Sequence, residues 1–308
     1  MSLKGFISDG LAIRAALIIG KLLTRKAGYR LANAAGSWIA RHPKFSLVRA
    51  VKANQWVVRD EQCTSAELSI FTKQVFQSSS RCLFDYYHYI GRPEKLFKII
   101  KISSEAQVAF DRIRAQQPTI IVVSHLSSFD LMGYALALLK LKILVLSFPN
   151  PNDAYKMQNK LREKVGIEIL PMSLSAFRIA RAKLAKGGCI LTGLDRPLVG
   201  SQLEKYQPKF FGHEANLPVA YIRMAKEANA PIFVMGCTSQ ANQTYTLESS
   251  LPVWMTPMDS LDQEIVLNAE CVLAEAEELI KKAPEQWAMF YPVWPDIMVE
   301  TVPKTGKE

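Results

Sequence analysis

The sequence predicts an α/β protein: a largely parallel or mixed central sheet sandwiched by helices, behind an N-terminal helical block. Three observations predict it. From residue 96, short β-branched runs alternate with helix-length stretches. The runs are nearly continuous in apolar residues, as strands covered on both faces must be. Before residue 92, apolar residues instead recur at three- and four-residue spacing, the signature of amphipathic helices.

The elements follow in order. Helical spacing covers 11–23, 29–40, 45–58 and 66–90, within helical text running from 5 to 91. His42-Pro43 marks a helix boundary, because a residue before proline is pushed out of the α region. Gly91-Arg92-Pro93 ends the block. Strands are expected at 97–102, 119–124, 142–147, 167–170, 188–192, 207–211, 231–236 and 243–248. Helices are expected at 104–116, 129–140, 153–165, 173–186, 216–229 and 261–282. The chain therefore divides into a helical block at 1–92 and an α/β domain at 93–308.

Charge separates the same two parts. Residues 1–60 carry eleven Lys and Arg against two acids, a net of +9, while the whole chain nets +10. A basic segment suits either nucleic acid or an anionic membrane surface. The apolar runs Leu11–Ala12–Ile13, Ala15 to Gly20 and Leu22–Leu23 favour lipid, so the first block is read as membrane-associating and no nucleic acid is expected. Arg14 and Lys21 interrupt the apolar run, which leaves it short of the ~20 residues of a membrane span. A secretory signal is not expected either. The expected place is the cytoplasmic face of the inner or plasma membrane, held peripherally or by the N-terminus.

The five cysteines are far apart and contain no C-x-x-C pair, so neither zinc nor a disulfide framework is expected. There is no G-x-S-x-G elbow, no G-x-G-x-x-G after a strand and no P-loop, and hydrolase, dehydrogenase and NTPase readings lose their support.

The residue types that carry chemistry gather after the strand at 119–124. It leads into Ser124-His125-Leu126-Ser127-Ser128-Phe129-Asp130 and then an apolar helix. Ligand chemistry in open α/β sheets collects at the carboxyl ends of strands. Ser127 or Ser128 can cap the helix, and an acid in its first turn suits the helix dipole. A short loop can fold Asp130 back to one imidazole nitrogen and leave the other to take a proton from a hydroxyl. A bland reading makes His125 a satisfied loop histidine and Asp130 a helix-start acid. Two arginines, Arg162 and Arg196, have the planar forks that suit phosphate. Asp195 follows an apolar strand, where it could bond sugar hydroxyls or hold Arg196. Trp287, Phe290, Tyr291 and Trp294 form an aromatic cluster suited to a core or a membrane interface.

Five blocks in order resemble the lipid A biosynthesis acyltransferase family, within the wider lysophospholipid acyltransferase superfamily. They are the H-x4-D block at 125–130, Lys160 to Gly166, Leu194-Asp195-Arg196-Pro197-Leu198, Phe210-Phe211-Gly212 with Leu217-Pro218, and Pro284-Glu285-Gln286-Trp287. The resemblance covers roughly residues 30–290. It implies an αβα acyltransferase fold, His125 as general base, Asp130 as its orienting partner, and Ser128, Arg162, Asp195 and Arg196 about the substrates. It also implies an acyl-carrier-protein or coenzyme A thioester donor, a membrane glycolipid acceptor, and no cofactor or metal. The Asp-Arg pair at 195–196 is closer to relatives that acylate mannosylated phosphoinositides. A simple lysophospholipid acceptor, or a non-catalytic lipid-binding protein that kept the fold, are the alternatives.

Overall fold

The computed structural model describes residues 10–149, 153–164, 166–198 and 205–300. The helical block holds α1 (Gly10–Leu22), α2 (Arg25–Ala40), α3 (Ser46–Val57) and α4 (Ser65–Tyr89). The ends are set locally: Thr24 caps α2, and Thr64 with Glu67 closes a reciprocal capping box on α4. Residues 5–9 and 165 of the expected helices lie outside the described residues.

The second part contains α5 (Pro93–Phe97), β1 (Ile100–Ile102), α6 (Ser104–Arg114), β2 (Thr119–Val123), α7 (Phe129–Leu138), β3 (Ile143–Ser147) and α8 (Asp153–Glu163). It continues through β4 (Glu168–Pro171), α9 (Leu174–Leu184), β5 (Cys189–Gly193), β6 (Lys209–Phe210), β7 (His213–Glu214) and α10 (Ala220–Ala228). The chain then runs through β8 (Ile232–Ser239), β9 (Tyr245–Ser249), α11 (Leu261–Lys282), a 3-10 turn at Pro284–Gln286 and α12 (Pro295–Glu300). Seven strands form one sheet in the order β1-β9-β8-β2-β5-β3-β4. Strands β8, β2, β5, β3 and β4 are mutually parallel, while β9 runs antiparallel to β8 and carries β1 parallel to itself.

Alternation along β2 divides the core. Ile120 and Val122 face the layer built by α9, α10 and α11, whereas Ile121 faces the layer built by α4, α6 and α7. All three are wholly buried, each contributing on the order of 1.5–3 kcal/mol.

Three expectations are corrected. The run at 207–211 stays out of the main sheet: among the described residues β6 pairs only with β7, across Phe211 and Gly212, both at positive φ. Pro208 has no N–H to donate to a ladder, and Phe210 packs against Trp287 and Trp294, with ring centres 6.1 and 5.8 Å away. At 97–102, Pro93 opens a short helix and the strand shrinks to Ile100–Ile102, since proline suits the first helical turn. The helix expected from 216 begins at Ala220, after Pro218.

Two features hold the helical block together, and the second also fastens it to the sheet. A Cβ on Gly28 would lie 2.0 Å from the Phe84 ring, and one on Gly36 2.6 Å from the Phe76 backbone, so α2 approaches α4 closely only because these positions lack side chains. Asp85 of α4, wholly buried, accepts from Arg25 Nη2 (2.6 Å), Tyr29 Oη (2.6 Å) and Tyr245 Oη (2.7 Å). Burial and the Asp85 charge both push the Tyr29 hydroxyl far above its ordinary range. Burial works to lower Arg25, but Asp85 outweighs it and raises the guanidinium further. One carboxylate thus joins α2, α4 and β9.

Asp85→Ala strands a buried guanidinium and two hydroxyls and is expected to cost about 3–5 kcal/mol. Tyr245→Phe removes one of several donors and is expected to cost about 0.5–1.5 kcal/mol. Denaturant titration followed by circular dichroism measures both.

Candidate active site

The loop after β2 is shaped by its second contact, a segment more than 150 residues downstream. Ser127 N–H donates to the Gln286 carbonyl (2.7 Å), Ala288 N–H donates to the His125 carbonyl (2.8 Å), and Leu126 bridges Trp287. Ser127 takes φ 50, an uncommon value for a residue with a Cβ. Leu126 is wholly buried beneath the loop and anchors it. The Gln286 side chain clasps β8, accepting from Ser239 N–H (2.7 Å) and donating to the Ser239 carbonyl (2.9 Å). The 284–288 segment is therefore a splint between β8 and the loop.

The carboxylate on His125 is Asp195, at the end of β5, and not Asp130. Asp195 Oδ1 lies 2.6 Å from His125 Nδ1, and its Oδ2 accepts from the His125 backbone N–H (2.8 Å) and from Trp287 Nε1 (2.8 Å). The carboxylate is wholly buried and the imidazole one-quarter exposed. A carboxylate only accepts, so the proton on the shared edge belongs to Nδ1, and the lone pair is at Nε2. No group among the described residues bonds Nε2. Phe129 meets the ring edge-on at 4.9 Å. On another side a Cβ on Gly193 would stand 3.5 Å from Cε1.

The pairing expected between His125 and Asp130 is not made. Asp130 in the first turn of α7 pairs with Arg162 of α8, whose Nη1 also donates to Asn159 Oδ1 (2.7 Å). Burial works to lower the Arg162 guanidinium, yet Asp130 outweighs it and raises it. The three-residue link from His125 to α7 gives a side chain on the helix less freedom than one on a neighbouring strand. Asp195 lies directly across the β2–β5 ladder, two positions beyond the Val123–Gly193 register. Asp195 also neither holds Arg196 nor meets solvent.

The remaining candidates divide. Arg196 sits between aromatic faces, 3.7 Å from the Phe148 ring centre and 4.3 Å from that of Tyr291, and donates to Tyr291 Oη (2.9 Å). Ser128 opens α7 without capping it. It is buried with its Oγ 3.5 Å from the Cys82 carbonyl and takes no part in the cavity wall. Trp287 and Trp294 are core residues, and Phe290 stacks on Phe76 at 5.5 Å, so the C-terminal aromatic cluster faces inward apart from exposed Tyr291.

His125, Asp130, Arg162 and Arg196 border one cavity between α7 and the sheet. It holds about 170 Å³, against the 10–15 Å³ or so that one water requires. Its walls below the polar mouth are apolar: Met132, Leu136, Ile143, Val145, Leu191 and Met235. Ser124 and Ser147, at the ends of β2 and β3, line it too, and their buried hydroxyls find no partner among the described residues. Cys237 also borders it, but burial pushes that thiol well up, away from the reactive thiolate. Among the described residues no group of three His, Cys, Asp or Glu could hold a metal, and no helix is long and apolar enough to cross a membrane.

Sequence reading paired His125 with Asp130, whereas the structure pairs it with Asp195, and the splint was not expected. A signal for Asp195 existed, as an acid at a strand end in the neighbouring parallel position, but strand order is not visible in the chain. Asp195→Ala leaves the His125 and Trp287 N–H groups buried without an acceptor and is expected to cost about 2–5 kcal/mol. Trp287→Phe removes a single hydrogen bond and is expected to cost about 1 kcal/mol. Thermal unfolding of the two variants checks the order.

Among individually characterised proteins none matches this chain significantly. The family model described as bacterial lipid A biosynthesis acyltransferase matches residues 12–295. This span takes in nearly all of the helical block, every strand of the sheet and the whole His125–Asp195–Trp287 site, and the chain belongs to the bacterial lipid A biosynthesis acyltransferase family.

Proposed function

We propose that this acyltransferase moves a fatty acyl group from an acyl-carrier-protein or coenzyme A thioester to a hydroxyl of a membrane glycolipid, with His125 as general base. The observation that carries the reading is an imidazole locked by a buried carboxylate at the mouth of an apolar cavity. Nε2 takes the proton of the acceptor hydroxyl as its oxygen attacks the thioester carbonyl. The tetrahedral intermediate then collapses, the carbon–sulfur bond breaks, and the imidazolium returns the proton to the leaving thiolate. Asp195 fixes the tautomer and offsets the positive charge that the ring acquires. No cofactor is needed for this exchange. The unpartnered hydroxyls of Ser124 and Ser147 are suitable donors to the oxyanion.

The polar rim suits the headgroups. Arg196 between Phe148 and Tyr291 offers charge and aromatic faces to a sugar or phosphate. Asp130 neutralises and aims Arg162, whose guanidinium can meet phosphate on the donor or acceptor. Membrane docking falls to α1 and α2, where Leu22, Leu31 and Trp38 are exposed among Lys21, Lys26, Arg30 and Arg41. Each basic residue at an anionic surface adds on the order of 1 kcal/mol. These exposed groups support a reading in which the protein works at the cytoplasmic face of a membrane.

His125→Ala is expected to lower acyl transfer by about 10²–10⁴-fold with the fold retained. Asp195→Asn is expected to lower kcat, while Asp130→Asn acts mainly on KM. Transfer of radiolabelled acyl groups to extracted membrane lipids measures all three, and wild-type turnover by the His125→Ala protein would end the proposal. Co-sedimentation with vesicles should show binding to anionic but weak binding to zwitterionic lipid. Trp38→Ala combined with Lys26→Glu and Arg30→Glu should release the protein.

A further inference from the structure

The cavity continues well past the catalytic imidazole, and its length can be read from the elements that wall it. On α7 the lining residues run from Phe129 to Ala137, eight residues apart, or about 12 Å of helix. On β3, Ile143, Val145 and Ser147 share one face and span about 13 Å of the slot. The two elements are antiparallel, so the polar ends Asp130 and Ser147 meet at the mouth and the apolar ends meet at the bottom. Half of a bilayer's hydrocarbon core is about 15 Å thick. A slot of this length, apolar along its walls, matches one chain of membrane-lipid length.

Gly133 lies one turn below Asp130 on the face of α7 that lines the slot. A Cβ built there meets no atom within 4 Å. Glycine inside a helix costs about 1 kcal/mol relative to alanine, and here no neighbouring side chain uses the room it leaves. Gly133 stands about 6 Å down α7 from Phe129, roughly midway along the slot. At the bottom, Leu141 lines this cavity and also a second groove, at the amino-terminal ends of the central strands, bordered by Lys140, Lys142 and Lys183. It is the partition between them.

We propose that Gly133 and Leu141 set the acyl chain length: the bare face of Gly133 lets the chain pass the midpoint, and Leu141 stops it. This rests on the acyltransferase reading and names the donor class within it, a long-chain rather than a short-chain thioester. Gly133→Leu fills the slot halfway, and Leu141→Ala opens its floor. Neither residue touches His125, Asp195 or the polar rim, and leucine in α7 raises helix propensity, so both variants are expected to fold.

The experiment follows transfer from thioesters of about eight to about eighteen carbons, a range that brackets a leaflet-length chain. Displacement of a fluorescent fatty acid by free fatty acids of the same lengths is read in parallel. Gly133→Leu should lose long donors by about tenfold or more while keeping short ones, and Leu141→Ala should gain donors longer than the wild-type optimum. Both should shift fatty-acid displacement in the same directions. Folded variants with the wild-type length profile would overturn the proposal. A wild-type protein that transfers no acyl group would instead overturn the acyltransferase reading, and the displacement profiles would then decide the length assignment by themselves.

Discussion

The structure around the site turns on one buried carboxylate with more donors than oxygens. Asp195 takes the imidazole Nδ1, the backbone N–H of the same histidine and the indole of Trp287, and meets no solvent. A charge so placed is tolerable only when hydrogen bonds replace its lost hydration. Each of the three partners belongs to a different stretch of chain or a different atom type, so the same contacts that settle the charge also settle the ring. The histidine is gripped by backbone and side chain together, which leaves it a single orientation toward the cavity.

That grip explains the division of labour at the mouth. With Asp195 serving the imidazole, Asp130 is released to neutralise Arg162, and the two acids hold two different bases. One pair lies at the strand ends, the other joins the start of α7 to the end of α8, and the cavity opens between them. The same sheet presents alternate residues to a close-packed layer on one face and to the slot beneath α7 on the other. The fold thus keeps a rigid half to position groups and a roomier half to receive a ligand.

Much of this was legible from periodicity. The strands at 119–124, 142–147 and 188–192 are continuous apolar runs, and each forms within a residue of its expected ends. The position of His125 just past a strand end was legible from the apolar run before it. Its partner was not, because a parallel sheet sets strand order through packing, and no local pattern in the chain states that β5 lies beside β2. An acid five residues away along the chain was a more visible candidate than one seventy residues away, and it was the wrong neighbour. Pro208 and Pro93 likewise overrode the apolar runs beside them, at 207–211 and 97–102, by removing a donor or by starting a helix. Gln286 and Trp287 stood out as a block but not as a splint, since their contacts are all distant.

The splint has a consequence for biosynthesis. The loop that bears His125 is completed by Gln286, Trp287 and Ala288, which leave the ribosome more than 150 residues later. A chain emerging from the ribosome exposes the basic, apolar helices before it can close the Asp195 knot. The nascent protein therefore displays its basic helices long before its site is complete.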